Sequence, residues 1–152
     1  MRKVRRLLTA SVVGVCVLGL ASAADATPGS GVSAVLLAQG TSQDAVRVRT
    51  HGATDTVVRQ ITVQPGGTTG WHYHDGQLLA VVASGTVSHY NRHCRRTNHS
   101  QGSSFQEGTG PREVHMGANE GTTPLVLVVT YINPAGSPLS ADAPAPRCAK
   151  GK

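Results

Sequence analysis

The chain has 152 residues, with 14 lysines and arginines against 8 acidic residues and a formal net charge of +6. This length suits one domain, and four of the basic residues stand within the first six positions. Residues 27–152 keep ten basic and seven acidic side chains, dispersed between apolar runs, which argues against a nucleic-acid-binding protein because such proteins concentrate basic charge on one face.

Residues 1–26 have the three parts of a secretory signal peptide. Four basic residues precede an apolar run at 7–20, and small residues in A-x-A patterns follow it. Cleavage after Ala26 or after Ala23 fits the pattern, and we favour Ala26. A retained anchor is the alternative, but the apolar run is short for a membrane span. We therefore expect an exported protein, secreted or in the cell envelope, with no stable membrane anchor after cleavage.

The body of the chain has the composition of short strands separated by turns. Seven segments are rich in Val, Thr, Ile or Tyr and are bounded by turn signals such as "PGG" and "NEG". They are 32–38, 45–49, 56–63, 70–74, 78–83, 86–90 and 125–132. No window after the signal peptide sustains the apolar spacing of an amphipathic helix. The sequence therefore predicts one all-β domain over residues 27–132, a small sandwich or barrel of about ten strands.

Two histidines stand one residue apart in the strand-like segment "GWHYH". His72 and His74 flank Tyr73, and alternate side chains on a strand point to the same face. Imidazoles that converge on one point can share a metal ion. A polar lining without metal is the alternative interpretation.

The segment around these histidines resembles the first motif of the cupin superfamily. Gly66, His72, His74 and Gly85 occupy the glycine and histidine positions with the superfamily's spacing. The usual glutamate ligand of this motif falls at Leu78, which cannot coordinate a metal.

A second segment, "GSSFQEGTGPREVHMGAN", resembles the second cupin motif. Gly102, His115 and Asn119 take its glycine, histidine and asparagine positions, although the loop before His115 is two residues longer. The resemblance extends over residues 57–132 and is greatest to small, secreted, single-domain bacterial cupins of type 2. It implies a jelly-roll β-barrel in which His72, His74 and His115 hold a divalent metal ion: Zn, Fe, Mn, Ni or Cu.

Gln77 and Glu113 are candidates to replace the missing glutamate. Gln77 could turn its amide oxygen inward if the register slips by one residue. Glu107 and Glu113 flank the second motif, and Glu113 is the better placed on the sequence because it stands two residues before His115 and would share its face on a regular strand.

The other histidines are expected to lie outside the site. His89, His93 and His99 surround the hairpin that bears Cys94, and His51 stands alone in a polar segment. No G-x-S-x-G elbow or phosphate-binding glycine loop is present, and no catalytic residue is assigned.

Residues 133–152 hold four of the eight prolines and no strand pattern, which predicts an extended C-terminal arm. Two cysteines remain after the signal peptide, Cys94 and Cys148. An exported domain enters an oxidising compartment, so they are expected to form one disulfide that ties the arm to the barrel. Two free thiols are the alternative.

These features predict an exported cupin-type protein with a metal-capable pocket for a small-molecule ligand. A metal-dependent oxygenase or isomerase is the first alternative, and a metal-free structural envelope domain is the second. Many cupins pair through edge strands, so a homodimer is compatible with the resemblance.

Overall fold

The computed structural model describes residues 29–149 of the chain. The chain divides into two units, Met1–Ala34 and Val35–Lys152, and all the regular structure described lies in the second. The predicted signal peptide lies outside the described residues. Within the described range, no helix has the length and apolar character needed to cross a membrane.

Nine β-strands and one short 3-10 helix form the domain. They are β1 (Thr54–Val63), β2 (His72–Tyr73), β3 (Gln77–Ser84), β4 (Thr86–Asn91), β5 (Arg96–Ser100), β6 (Ser104–Glu107), β7 (His115–Ala118), β8 (Leu125–Pro134), β9 (Ala141–Asp142) and the 3-10 helix Arg147–Ala149. The all-β prediction is confirmed, and residues 29–149 contain no α-helix.

The strands form two antiparallel sheets. One has four strands in the order β1-β8-β3-β6, and the other has five in the order β5-β4-β7-β2-β9. Neighbours in the sheets are often distant in the chain, as with β1 and β8, which pair along their full length. Two such sheets around one core make the predicted jelly roll.

Strict alternation on the central strands builds the core. Along β8, Leu125, Leu127, Val129 and Tyr131 are buried and the residues between them are not. They pack in one cluster with inward residues of β1, β3 and β6 and with Val87 of the opposite sheet. A fully buried side chain of this kind contributes about 1.5–3 kcal/mol. The apolar core therefore stabilises the barrel without help from a metal ion.

Two predicted strands do not form. Residues 32–38 lie in no strand, and Leu36 and Leu37 are 75% and 74% exposed, so this apolar run finds no sheet to join. The segment 45–49 is extended, but side-chain amides take its backbone hydrogen bonds. Gln106 bonds both the N–H and the carbonyl of Arg47, at 3.2 and 2.8 Å, so no strand-to-strand ladder forms there.

Four observed strands were not predicted. β5, β6, β7 and β9 are short, and none of them has the run of β-branched and aromatic residues by which strands are identified. Their partners in the sheets determine their conformation, and partners distant in the chain leave no local signal.

The C-terminal segment combines extended chain with a short strand. β8 continues to Pro134, and β9 adds to the edge of the five-stranded sheet by pairing with β2. The disulfide between Cys94 and Cys148 is present, with the two Cα atoms 6.1 Å apart. It links the 3-10 helix to the turn between β4 and β5.

Candidate metal centre

Two neighbouring strands bring the three predicted histidines together. β2 and β7 pair with His72 opposite His115, and His74 lies two residues beyond His72. The ring centroids are 4.9 Å apart for His72 and His74, 4.6 Å for His72 and His115, and 5.1 Å for His74 and His115. The residues matched by motif spacing thus form one spatial cluster.

A fourth group, Glu107 at the end of β6, completes this cluster. One potential ligand atom from each of the four residues lies within 4.8 Å of the others. Glu107 Oε2 is 3.0 Å from His74 Nε2 and 3.0 Å from His115 Nε2. Three imidazole nitrogens and one carboxylate oxygen could hold a divalent metal ion.

The Glu107 carboxylate comes from β6, whereas the first motif predicted an acid on the neighbouring strand β3. β3 and β6 pair with Leu78 directly opposite Glu107, and directly opposed residues of an antiparallel pair project from the same face. Leu78 is 3% exposed and belongs to the core cluster. The acid that the first motif lacks at Leu78 is therefore supplied by its cross-strand partner.

Neither candidate substitute ligand joins the cluster. Gln77 alternates with Leu78 along β3, and its amide bonds the N–H and carbonyl of Arg49 at 3.1 and 3.2 Å, outside the barrel. Glu113 precedes β7, where strand alternation does not apply, and its side chain packs over Gly108. Phe105 and Glu107 share a face of β6, so recognising a strand at 104–107 would have placed Glu107 inward.

All three histidines are held in the same way at Nδ1, the ring nitrogen that points away from the cluster. Each Nδ1 lies against a backbone carbonyl: His72 against Gly70 at 2.9 Å, His74 against Leu139 at 2.6 Å, and His115 against Glu113 at 2.7 Å. A carbonyl only accepts, so Nδ1 carries the proton and donates it. The neutral ring then has its lone pair on Nε2, which is the atom that faces the cluster. This is the arrangement that orients histidines bound to metals.

The nitrogens facing Glu107 would be stabilised by a cation, either a proton or a metal ion. His74 Nε2 and His115 Nε2 are buried without a hydrogen-bond partner, although the carboxylate oxygen is 3.0 Å from each. A lone pair facing a carboxylate at this distance is repulsive. A proton on one ring relieves part of this repulsion, whereas a divalent ion satisfies all four groups together.

The cluster shifts the pKa values of its members. Burial raises the pKa of Glu107, but contacts with three histidine rings, His115 first, outweigh burial and hold it well below the usual carboxyl value. Burial lowers the pKa of His115, but the Glu107 carboxylate outweighs that effect and the net shift is upward. For His72, burial dominates and the pKa falls.

Two cavities meet at Glu107. An inner cavity of about 40 Å³ is bounded by His72, His74 and apolar core side chains. An outer groove of about 580 Å³ runs past His89 and His99, and both cavities are lined by Phe105 and Glu107. The inner cavity suits a molecule of water size. Organic ligands usually occupy about 300–1,000 Å³, so of these two cavities only the groove has room for one.

One histidine expected outside the site contacts it. His89 Nε2 lies 3.3 Å from Glu107 Oε1. The other three do not reach the cluster: His99 stacks on Phe105 with centroids 4.0 Å apart, His93 is exposed beside Arg92, and His51 lies in an exposed loop. Local spacing does not indicate the position of His89, because that position depends on the pairing of β4 with β7.

Residues 59–131 match the sequence profile of a family described as "Cupin domain". No curated protein matches the chain. Several solved structures are similar to the chain. One is a protein with a double-stranded beta-helix domain from Klebsiella pneumoniae, 23% identical, with a TM-score of 0.51 over 78% of this chain and 84% of that one.

Two further solved structures are similar to this chain, with different identities and coverages. A DMSP lyase from Ruegeria pomeroyi is 10% identical, with a TM-score of 0.51 over 58% of this chain and 43% of its own. A cupin domain from Bordetella pertussis is 22% identical, with a TM-score of 0.46 over 65% of this chain and 99% of its own. At these identities, the likenesses to the Klebsiella and Ruegeria proteins show the fold alone.

Proposed function

Because residues 59–131 match the profile of the cupin domain and the barrel shares the fold of a double-stranded beta-helix protein, we propose that the chain is a cupin whose cluster of three histidines and Glu107 binds a divalent metal ion and serves a small-molecule ligand. The tautomers carry this proposal: three Nδ1–H groups are held by backbone carbonyls, so three Nε2 lone pairs converge beside one carboxylate. A merely polar lining has no need of three rings fixed in the same orientation.

The donor set suits zinc, iron, manganese, nickel or copper. When bound, such an ion supplies a Lewis acid that polarises an oxygen atom of the ligand. The chain's own part is to fix the three rings through Gly70, Leu139 and Glu113, and to offset positive charge with Glu107. The outer groove accommodates the ligand, and Glu107 both lines this groove and belongs to the cluster.

Turnover is the second candidate function. The absence of a glutamate at Leu78 favours simple binding, but Glu107 returns a carboxylate to the cluster and so restores a group that an oxygenase or isomerase could use. A redox-active iron or copper in the isolated protein supports turnover of the oxygenase type. Zinc supports ligand binding or isomerisation.

Elemental analysis of the exported protein, purified without added metal or chelator, tests the proposal. We expect about one equivalent of a transition metal, and none in the His72→Ala/His74→Ala double variant. That variant should keep its β-sheet circular dichroism because the apolar core holds the barrel. The matched control is His51→Ala/His93→Ala, which removes two imidazoles from exposed positions and should keep its metal. A metal-free wild type that also takes up none at neutral pH leaves the structural envelope role.

We also propose that the protein is exported. The disulfide between Cys94 and Cys148 is compatible with an oxidising compartment, and the signal-like N-terminus supports the same destination. Sequencing the N-terminus of protein from the culture medium or envelope should give Thr27, or Ala24 as the second choice. An intact Met1 on membrane-bound protein would contradict this.

A further inference from the structure

The two oxygens of Glu107 have different neighbours. Oε2 faces the Nε2 atoms of His74 and His115 at 3.0 Å. Oε1 faces His89 Nε2 at 3.3 Å, on the side of the outer groove. The carboxylate therefore stands between the three-histidine cluster and a fourth imidazole.

The His89 ring packs against neighbouring rings in this position. It lies on β4, opposite Gly117 of β7. Its ring centroid is 5.1 Å from that of His115 and 5.8 Å from that of Phe105, and its side chain is 18% exposed. Its Nε2 is buried and lacks an aligned hydrogen bond. Within residues 29–149, the Glu107 carboxylate is the one acidic group within 4 Å of that nitrogen.

His89 also differs from the cluster histidines at Nδ1. In those three rings a backbone carbonyl fixes the proton on Nδ1. Among the described residues, no carbonyl holds Nδ1 of His89, so its ring is free to carry the proton on Nε2. Facing a carboxylate, the Nε2–H form is favoured because it turns a repulsive contact into a donated hydrogen bond.

We propose that His89 is a positioning residue: it donates Nε2–H to Glu107 Oε1, which leaves Oε2 as the oxygen directed at the metal. This inference rests on the proposed metal-binding function. His89 is not itself a ligand in this arrangement, because it lies outside the group of four residues whose ligand atoms are within 4.8 Å of one another. It would hold the carboxylate to one orientation and keep it from turning into the outer groove.

The tautomer of His89 is measurable without metal. Long-range ¹H–¹⁵N correlation spectra of the metal-free protein, recorded where His89 is neutral, should show its proton on Nε2. A proton on Nδ1 would overturn the proposal. If the wild type takes up no metal, the proposed function fails, and this spectrum alone decides whether His89 orients Glu107.

Metal affinity tests the consequence. His89→Phe keeps a ring of similar size without a donor, and we expect it to weaken metal binding by about 10–100-fold, as loss of a hydrogen-bonding partner of a ligand typically does. His89→Gln, which can present an N–H, should recover part of that loss. His99→Phe is the matched control, since His99 lines the same groove without contacting Glu107, and its affinity should stay at the wild-type value.

Chelator competition gives the affinities, and the absorption of the Co²⁺-substituted protein reports ligand geometry. A His89→Phe spectrum that differs from both the wild-type and His99→Phe spectra supports a change at the carboxylate. Wild-type affinity in His89→Phe overturns the proposal. Equal losses in His89→Phe and His89→Gln, with an unchanged Co²⁺ spectrum, also overturn it and leave His89 as a packing residue.

Discussion

At the scale of single residues, His115 and His72 are shifted in opposite directions. Burial lowers the pKa of each ring, but the carboxylate of Glu107 reverses the shift only for His115. Of these two rings in the metal-free cluster, His115 is therefore the one that keeps a proton to the higher pH. That proton competes with a metal ion for the same cluster.

The metal affinity should consequently rise with pH through and beyond about 6.5, the ordinary histidine value. A raised pKa at His115 means that the proton still has to be displaced when an unperturbed histidine would already be neutral. Calorimetric titrations in two buffers of different ionisation enthalpy should detect protons released on metal binding near neutral pH. A release of zero there would contradict the assignment, as would an affinity that does not fall between pH 7 and 5.

Glu107 should matter more to metal binding than any other carboxylate. Glu107→Gln keeps the size of the side chain but removes the charge that faces His74 and His115. We expect its affinity loss to exceed the factor of about 10–100 typical of groups that only orient ligands. Glu113→Gln is the control, because the carbonyl of Glu113, rather than its carboxylate, bonds His115. Equal affinities for the two variants in chelator competition would remove Glu107 from the ligand set.

At the scale of elements, the sequence reveals the histidines but not the carboxylate. His72 and His74 are neighbours on one strand, and His115 stands in a recognisable motif, so local spacing was enough to group them. Glu107 joins them through the register of β6 on β3, which pairs residues 29 positions apart. Long-range register leaves no trace in local spacing. The long apolar run of β8 allowed its prediction almost to its ends, whereas the short strands β5, β6 and β7 carry no such run and were missed.

The β3–β6 register makes a prediction for the position where the first motif expects an acid. Leu78→Glu alone should destabilise the protein, because it buries a second carboxylate directly opposite Glu107 and removes a leucine from the core. Leu78→Glu combined with Glu107→Leu moves the acid back across the strand pair without adding charge. Its metal affinity should exceed that of Glu107→Leu, and its melting temperature should exceed that of Leu78→Glu.

Thermal melts and chelator competition on all three variants measure this exchange. Leu78→Ala controls for the loss of the leucine side chain alone. If the double variant binds metal no better than Glu107→Leu, then positions 78 and 107 do not present their side chains to the same point. In that case, a carboxylate at position 78 could not replace the one at position 107.

At the scale of the whole molecule, the C-terminal arm belongs to the candidate site. β9 pairs with β2 so that Asp142 lies opposite His72. The carbonyl of Leu139 accepts the Nδ1 proton of His74. Farther along the arm, Cys148 is bonded to Cys94 at the turn after β4. One covalent bond thus secures the segment that orients His74 and pairs with the strand of His72.

Removing the disulfide should therefore weaken both the fold and the metal centre. The bridge spans 54 residues, and by chain entropy a loop of that size contributes about 3–5 kcal/mol to the free energy of unfolding. In Cys94→Ser/Cys148→Ser we expect a loss of up to that size. We also expect a lower metal affinity, because a looser arm holds the Leu139 carbonyl less firmly against His74. That second loss should be smaller than the loss caused by removing a ligand.

Hydrogen exchange separates these two effects within the variant. The amide of Ala143, which bonds the carbonyl of Trp71, should exchange faster once the arm is released. Amides in the middle of the β1–β8 pairing should lose protection only through the lower global stability. Adding metal should restore part of the protection at 139–143, since an ion that needs His74 in place favours the docked arm. Unchanged metal affinity together with unchanged exchange at 139–143 would show that the arm is held by its strand pairing alone, and that the disulfide does not act on the site.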